Sequence, residues 1–226
     1  MVRAIKGFEI EVDKNEVCHY LGYREDKRPT PSISSLIDEE MEEAYGLIQT
    51  SCFYQFMDIR QVSRPRVILE DGLTMTSKVL SQVLSHCHQV AIFVVNIGQG
   101  LEAKVAQLMN EEQMLKPTIL DAVGSEAADK AACYIEDKVR ELANSNGAEI
   151  TLRYSPGYCD WDITQQRVLF QAMDSAPLEV SLTEECLMVP RKSVSGVIGL
   201  GRFEERRLFS YSPCCYCTKK DCPSRR

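Results

Sequence analysis

The sequence has 226 residues, of which 44% are hydrophobic and 26% charged, so the chain is long and apolar enough to bury a core and is not intrinsically disordered. A formal net charge of −7, with no run of Lys and Arg long enough to follow a phosphate backbone, argues against a nucleic-acid partner. The longest strongly apolar run, residues 90–97, is far below the roughly 20 residues of a membrane span, and the start lacks a signal peptide, so we expect no membrane association and a cytoplasmic location.

Hydrophobic periodicity, caps and breakers predict a mixture of strands and helices. The predicted elements of the first third are a strand at residues 4–12, a helix at 15–21, a linker at 24–31, and a helix from Ser34 or Ser35 to residue 48. In the middle of the chain we predict strands at 53–62 and 66–69, a helix at 77–87, a strand at 89–96, and helices at 98–116 and 118–144. The remaining predicted elements are a strand at 149–154, a helix at 163–173 and extended segments at 187–189 and 194–200. Because strands and helices do not alternate regularly, the pattern favours an α+β domain. The β-branched run 89–96 is typical of a central strand covered on both faces.

The composition changes near the C-terminus, which predicts one α+β domain at residues 1–203 and a cysteine-rich tail at 204–226. Of ten cysteines, six are scattered singly and four lie close together in the tail: Cys214, Cys215, Cys217 and Cys222. A terminal segment with no visible core has little reason to hold four thiols unless something organises them, so we expect a metal-binding site for an iron–sulfur cluster or zinc. A disulfide or redox pair between Cys214 and Cys217 is the alternative.

Residues 98–103 (GQGLEA) follow a predicted strand and begin a predicted helix, the context in which a glycine-rich turn can bind a pyrophosphate. The acidic residue at the end of a second strand that a dinucleotide site needs is missing. A tight strand-to-helix turn explains the glycines as well.

The stretch RYSPGY at residues 153–158 brings an arginine from a strand to a Pro-Gly turn. The guanidinium of Arg153 can hold a carboxylate through two hydrogen bonds, Gly157 lets the backbone approach a ligand closely, and Tyr158 can stack or form a hydrogen bond. An ordinary β-turn with a surface arginine is the alternative.

Together with the SVSG sequence at residues 193–196, the RYSPGY motif resembles the activation domain of cobalamin-dependent methionine synthase, which binds S-adenosylmethionine (AdoMet). The similarity is strongest over residues 88–200 and includes the predicted strand at 90–98 and the helix that begins at 119–124. The chain is similar in shape to short, stand-alone members that lack the rest of the synthase.

The resemblance implies a twisted, mainly antiparallel sheet with flanking helices and a shallow AdoMet groove. It implies AdoMet contacts from eight residues: Asp129, Arg153, Tyr154, Pro156, Gly157, Tyr158, Ser195 and Gly196. Arg153 would hold the AdoMet carboxylate, the backbone at Tyr154 would meet the adenine end, and Asp129 matches an acidic residue of the family on the preceding helix. A solvated helix face shared with Glu126 and Cys133 explains Asp129 as well.

Two features of the family are missing from the sequence. The Tyr-Tyr pair that touches AdoMet has no counterpart at residues 206–208, and the N-terminal aspartate of the synthase has no clear match. Tyr211 and the cysteine tail are candidates to complete that side of the groove.

The implied function is reductive reactivation, a step in vitamin B12-dependent methionine biosynthesis. A corrinoid that has been oxidised to Co(II) receives one electron and the AdoMet methyl group, so the expected partners are a corrinoid-dependent methyltransferase or corrinoid protein and an electron donor of flavodoxin or ferredoxin type. The chain would then be part of a methyltransferase system that transfers a methyl group from AdoMet to cob(I)alamin, acting by positioning rather than through a catalytic residue. The alternative is a non-enzymatic, metal- or redox-responsive adaptor that acts through the cysteine tail.

Overall fold

The computed structural model describes residues 1–24, 26–174 and 176–202. The predicted tail, with Cys214, Cys215, Cys217 and Cys222, lies outside the described residues. The helices are α1 Lys14–Tyr20, α2 Pro31–Tyr45, α3 Lys78–Val83, α4 Gly100–Asn110, α5 Leu115–Ser145 and α6 Gln166–Ala172, with a 3-10 turn at Ile163–Gln165. The strands are β1 Arg3–Lys6, β2 Ser51–Ser63, β3 Arg66–Leu69, β4 Thr74–Thr76, β5 Cys87–Asn96, β6 Glu149–Ile150, β7 Ser181–Leu182, β8 Met188–Val189 and β9 Ser193–Gly201.

A seven-stranded antiparallel sheet forms the centre of the molecule. Its strand order is β4-β3-β2-β5-β9-β6, with β1 paired to β2, while β7 and β8 form a separate two-stranded sheet. Strand β5 lies between β2 and β9, as the continuous β-branched run predicts. The α+β class with a mainly antiparallel sheet is confirmed.

Hydrophobic side chains cover both faces of the sheet. Because neighbouring residues of a strand point to opposite faces, Phe93 and Val95 pack toward α1, α2, α4 and α5, whereas Val90 and Ile92 pack toward α3 and α6. The sheet is therefore the middle layer of three. A segment that leaves the edge of the sheet can contact the helices on either face.

Helix α5 is the longest of the described elements and contacts strands β5, β6 and β9 of the sheet. Small side chains at Ala127, Ala128, Ala131 and Ala132 are buried along it, so the helix axis can approach the strands closely. The sequence predicts a break at Pro117, but α5 begins at Leu115 and the proline lies in its first turn, where its missing N–H has no intrahelical partner to lose.

Two other predicted boundaries are wrong for local reasons. Helix α2 begins earlier than Ser34, because the Thr30 side chain accepts a hydrogen bond from the Ile33 N–H and Pro31 suits the first turn. The predicted strand at 4–12 pairs only over β1, and residues 7–12 leave the sheet to cross α5. No helix among the described residues is both long and apolar enough to cross a bilayer.

Candidate functional site

Arg153 faces helix α5 where the chain leaves the edge of the sheet. Its side chain is 22% exposed, its guanidinium forms an ion pair with Asp129, and its Nη1 donates a hydrogen bond to the Cys133 Sγ at 3.3 Å. Asp129 and Cys133 are one helical turn apart and therefore lie on the same face of α5. Burial opposes the charge on Arg153, but Asp129 and Cys133 favour it, and the pKa of the guanidinium is raised above its ordinary value. Arg153 is thus a partly buried, fixed positive charge.

Tyr154 lies on the opposite side of the chain from Arg153. Its ring stacks on Trp161, with ring centroids 5.7 Å apart, and its backbone pairs with Val197 on β9 through hydrogen bonds of 2.9 Å and 2.8 Å. The Tyr154 side chain is only 3% exposed. This arrangement fixes the direction in which Arg153 points.

The turn after Tyr154 is closed by its own backbone and anchored to α3. Gly157 adopts a left-handed conformation with φ of +94°, and its N–H donates to the Trp161 carbonyl at 2.7 Å. Asp160 accepts hydrogen bonds from the Ser77 hydroxyl at 2.7 Å and from the Lys78 N–H at 2.6 Å. Pro156 is buried, whereas Tyr158 is 57% exposed, so only part of the turn is available to a ligand.

Ser195 and Gly196 lie under the RYSPGY segment. Ser195 is 1% exposed and donates a hydrogen bond to Gln166 on the α6 side of the sheet. A Cβ atom at Gly196 would lie 2.7 Å from the Tyr154 carbonyl oxygen and 3.0 Å from the Phe93 ring. The RYSPGY and SVSG motifs are therefore in direct contact, and Gly196 of β9 lies at the point of contact.

An open groove of about 690 Å³ lies between α5 and the N-terminal segment at residues 9–14. Its lining consists of Glu9, Ile10, Glu11, Val12, Asp13, Lys14, Lys130, Cys133, Tyr134 and Asp137. Cys133 also contacts Arg153, so the groove lies next to the arginine, although Arg153 is not itself among the lining residues.

Aromatic and polar contacts hold the N-terminal segment against α5. Phe8 stacks on Tyr134 with ring centroids 4.0 Å apart. The Val12 N–H donates to the Tyr45 hydroxyl at 3.0 Å, and Glu126, which is 2% exposed, accepts a hydrogen bond from the Asp13 backbone. Glu126 is therefore covered, whereas Asp129, whose side chain is 32% exposed, is partly solvated.

The structure brings some predicted site residues together and separates others. Arg153 and Asp129 meet on the α5 side of the sheet. The Tyr154 ring and the Ser195 hydroxyl point to the α6 side. Sequence reasoning missed the groove lining at residues 9–14 and the anchor Asp160, and the burial of Glu126 beneath the N-terminal segment becomes visible only in the structure.

The remaining sequence motifs have structural roles. Gly98 has a φ of +81°, and a Cβ atom at Gly100 would lie 2.7 Å from the Leu47 carbonyl oxygen, so both glycines serve the strand-to-helix turn that the sequence offered as one interpretation. The six cysteines within the described residues are free thiols, and these residues contain no cluster of three metal-ligating side chains.

Comparison with known proteins identifies the family. The profile described as "Vitamin B12 dependent methionine synthase, activation domain" matches residues 49–212. The chain belongs to this activation-domain family. No curated protein matches the sequence.

A solved activation domain has the same fold. The structure described as the MetH reactivation domain bound to AdoHcy superposes with a TM-score of 0.67 at 14% sequence identity, covering 94% of this chain and 81% of that chain. At this identity the similarity shows the fold alone. The family description associates the activation domain with vitamin B12-dependent methionine synthase.

Proposed function

We propose that this activation domain binds AdoMet in the groove beside Arg153 and serves the reductive reactivation of a corrinoid on a partner methyltransferase such as methionine synthase. The observation that carries the proposal is the Arg153 guanidinium, which contacts the lining residue Cys133 of a groove rich in carboxylates. AdoMet has a carboxylate and an ammonium at one end and a sulfonium near its middle. A site that binds it therefore needs both positively and negatively charged side chains.

The residues present fit this ligand. A guanidinium can hold a carboxylate through two parallel hydrogen bonds, and it has more N–H donors than the contacts with Asp129 and Cys133 use. Four acidic residues line the groove against two lysines, which favours the ammonium and sulfonium charges. A volume of about 690 Å³ is within the usual range for small-molecule sites.

The proposed contribution of the chain is binding and orientation. AdoMet supplies an electrophilic methyl group which, with one electron, converts Co(II) on the partner to methylcobalt(III) and leaves AdoHcy. Arg153 would fix the amino-acid end, with Asp129 beside it. Pro156, Gly157, Tyr158 and the Tyr154 backbone, which are not part of the groove lining, would contact the part of AdoMet that extends past Arg153, and Ser195 and Gly196 would support that turn. Positioning a methyl donor against a docked acceptor needs no general base.

The partners follow from the same chemistry. We infer a cobalamin-dependent methyltransferase or corrinoid protein as methyl acceptor and a flavodoxin- or ferredoxin-type electron donor. A cytoplasmic location agrees with the free thiols of the six described cysteines.

A second candidate function rests on the cysteine tail. Four cysteines within nine residues, Cys214 to Cys222, favour an iron–sulfur cluster or zinc, and a cluster there would let the protein relay the reactivating electron. An adaptor that acts through this tail alone is the rival proposal. Iron and zinc analysis of anaerobically purified protein, with a Cys214→Ser/Cys217→Ser variant as the control, tests both.

Calorimetric titration with AdoMet and with decarboxylated AdoMet tests the main proposal. Arg153→Ala should weaken AdoMet binding about tenfold or more, because a charge-assisted bidentate contact is lost, and should leave the binding of the decarboxylated compound unchanged. Arg191→Ala, at an exposed arginine, is the matched control. An absence of saturable AdoMet binding to the wild-type protein would contradict the proposal and favour the adaptor.

A further inference from the structure

We propose that Cys133 is a positioning residue that sets the orientation of the Arg153 guanidinium. The use of that orientation for AdoMet rests on the proposed function, but the orientation itself does not. The inference comes from the two contacts that α5 makes with the guanidinium.

The two terminal nitrogens of Arg153 have different partners. Nη2 pairs with the Asp129 carboxylate, and Nη1 donates to the Cys133 Sγ at 3.3 Å. A single ion pair leaves a long arginine side chain free to turn about its charged partner. A second contact on the other nitrogen fixes the plane of the group, because the guanidinium is rigid.

The chemistry of a thiol suits this task. A thiol sulfur is a weaker acceptor than a carboxylate oxygen, so it orients the guanidinium while competing with a ligand less strongly than a second carboxylate would. With a second carboxylate at position 133, Arg153 would be outnumbered by its partners, and an incoming carboxylate would compete with two internal ones. Cys133 therefore leaves the guanidinium available to a ligand.

The location of Cys133 argues against a simple packing role. Buried cysteines usually act as small hydrophobic residues, but Cys133 is only partly buried and is not part of either hydrophobic core, unlike its neighbour Ala132. It also lines the groove. The thiol is thus the structural link between the groove and the arginine.

The first test needs no ligand. In the wild-type protein, a fixed Arg153 guanidinium should give slowed rotation about its Cζ–Nε bond and resolved Nη proton resonances in NMR spectra, assigned by their loss in Arg153→Lys. Cys133→Ala should collapse these resonances, and Cys133→Ser, whose hydroxyl also accepts a hydrogen bond, should retain them. Unchanged resonances in Cys133→Ala would overturn the proposal, whatever the protein binds.

The second test measures AdoMet affinity by calorimetry. Cys133→Ala should weaken binding about three- to tenfold, as expected for one hydrogen bond to a charged group, and Cys133→Ser should restore most of it. Cys18→Ala, at a partly buried cysteine on α1 that does not line the groove, is the control. Equal affinity of Cys133→Ala and the wild type would refute the proposal, whereas failure of AdoMet to bind the wild type would refute the proposed function and leave the NMR result to decide the role of Cys133.

Discussion

The Tyr154 carbonyl oxygen lies 2.7 Å from the point that a Cβ atom at Gly196 would occupy. This close crossing lets the Tyr154 backbone pair with Val197 while Arg153 faces α5. The position of Arg153 beside the groove therefore depends on the absence of a side chain at Gly196 on β9.

Gly196→Ala should move the RYSPGY segment away from β9. The added methyl group meets backbone on one side and the Phe93 ring on the other, and crowding of this kind costs about 1 to 3 kcal/mol of unfolding free energy. Urea unfolding measures the loss, and AdoMet titration should show weaker binding. Gly46→Ala, where the nearest atom is 3.5 Å from the new Cβ, should have little effect on either measurement.

Asp160→Ala should loosen the turn from α3 and lower stability by about 0.5 to 2 kcal/mol, because Asp160 accepts hydrogen bonds from the first backbone N–H groups of α3 much as an N-cap side chain does. Partial burial raises the pKa of Asp160, but the hydrogen bonds from Ser77, Lys78 and Val79 outweigh it and the net pKa is lowered. The stabilisation should therefore be complete above the ordinary aspartate pKa and disappear as the pH falls through the lowered one. Urea unfolding of both proteins across the acidic range measures this, and Asp174→Asn serves as an exposed control. An equal pH dependence in Asp160→Ala and wild type would contradict the role of the carboxylate.

Glu126→Gln should change how stability depends on pH in the opposite sense. Burial raises the pKa of Glu126 more than Lys130 lowers it. Between the ordinary pKa and the raised one, the folded protein binds more protons than the unfolded chain, so the contribution of Glu126 to stability falls as the pH rises. The unfolding free energy of wild type minus variant should decrease through this window and be constant above it. Glu42→Gln on the exposed face of α2 should show no such trend.

Phe8→Ala should release the N-terminal wall of the groove. Loss of the stacked Phe8–Tyr134 pair should cost about 0.5 to 1.5 kcal/mol beyond the loss of buried area. Hydrogen exchange at the Val12 and Asp13 amides should accelerate, because both are bonded to residues beneath this wall. Phe8→Tyr keeps the ring and should exchange like the wild type. Unchanged exchange in Phe8→Ala would show that the polar contacts alone hold the segment.

Local sequence patterns predict the elements in which buried residues recur at regular spacing. Strand β5 and helix α5 follow directly from a continuous β-branched run and from a regular apolar stripe. The predicted start of α2 and the predicted break at Pro117 are wrong, because helix caps and first-turn prolines depend on contacts of a few atoms rather than on a repeating pattern. The groove could not be predicted at all, since its two walls, residues 9–14 and residues 130–137, lie more than a hundred positions apart in the sequence.

The two walls of the groove have different relations to the family. The helical wall and Arg153 lie within the matched region, residues 49–212, whereas the opposite wall at residues 9–14 lies before it. A fragment trimmed to the matched region would keep the arginine but lose half of the cleft, and would expose the Glu126 carboxyl to solvent. Under the proposed function, sequence changes in the N-terminal wall would therefore alter the ligand preference of the cleft while the matched region, residues 49–212, stays unchanged.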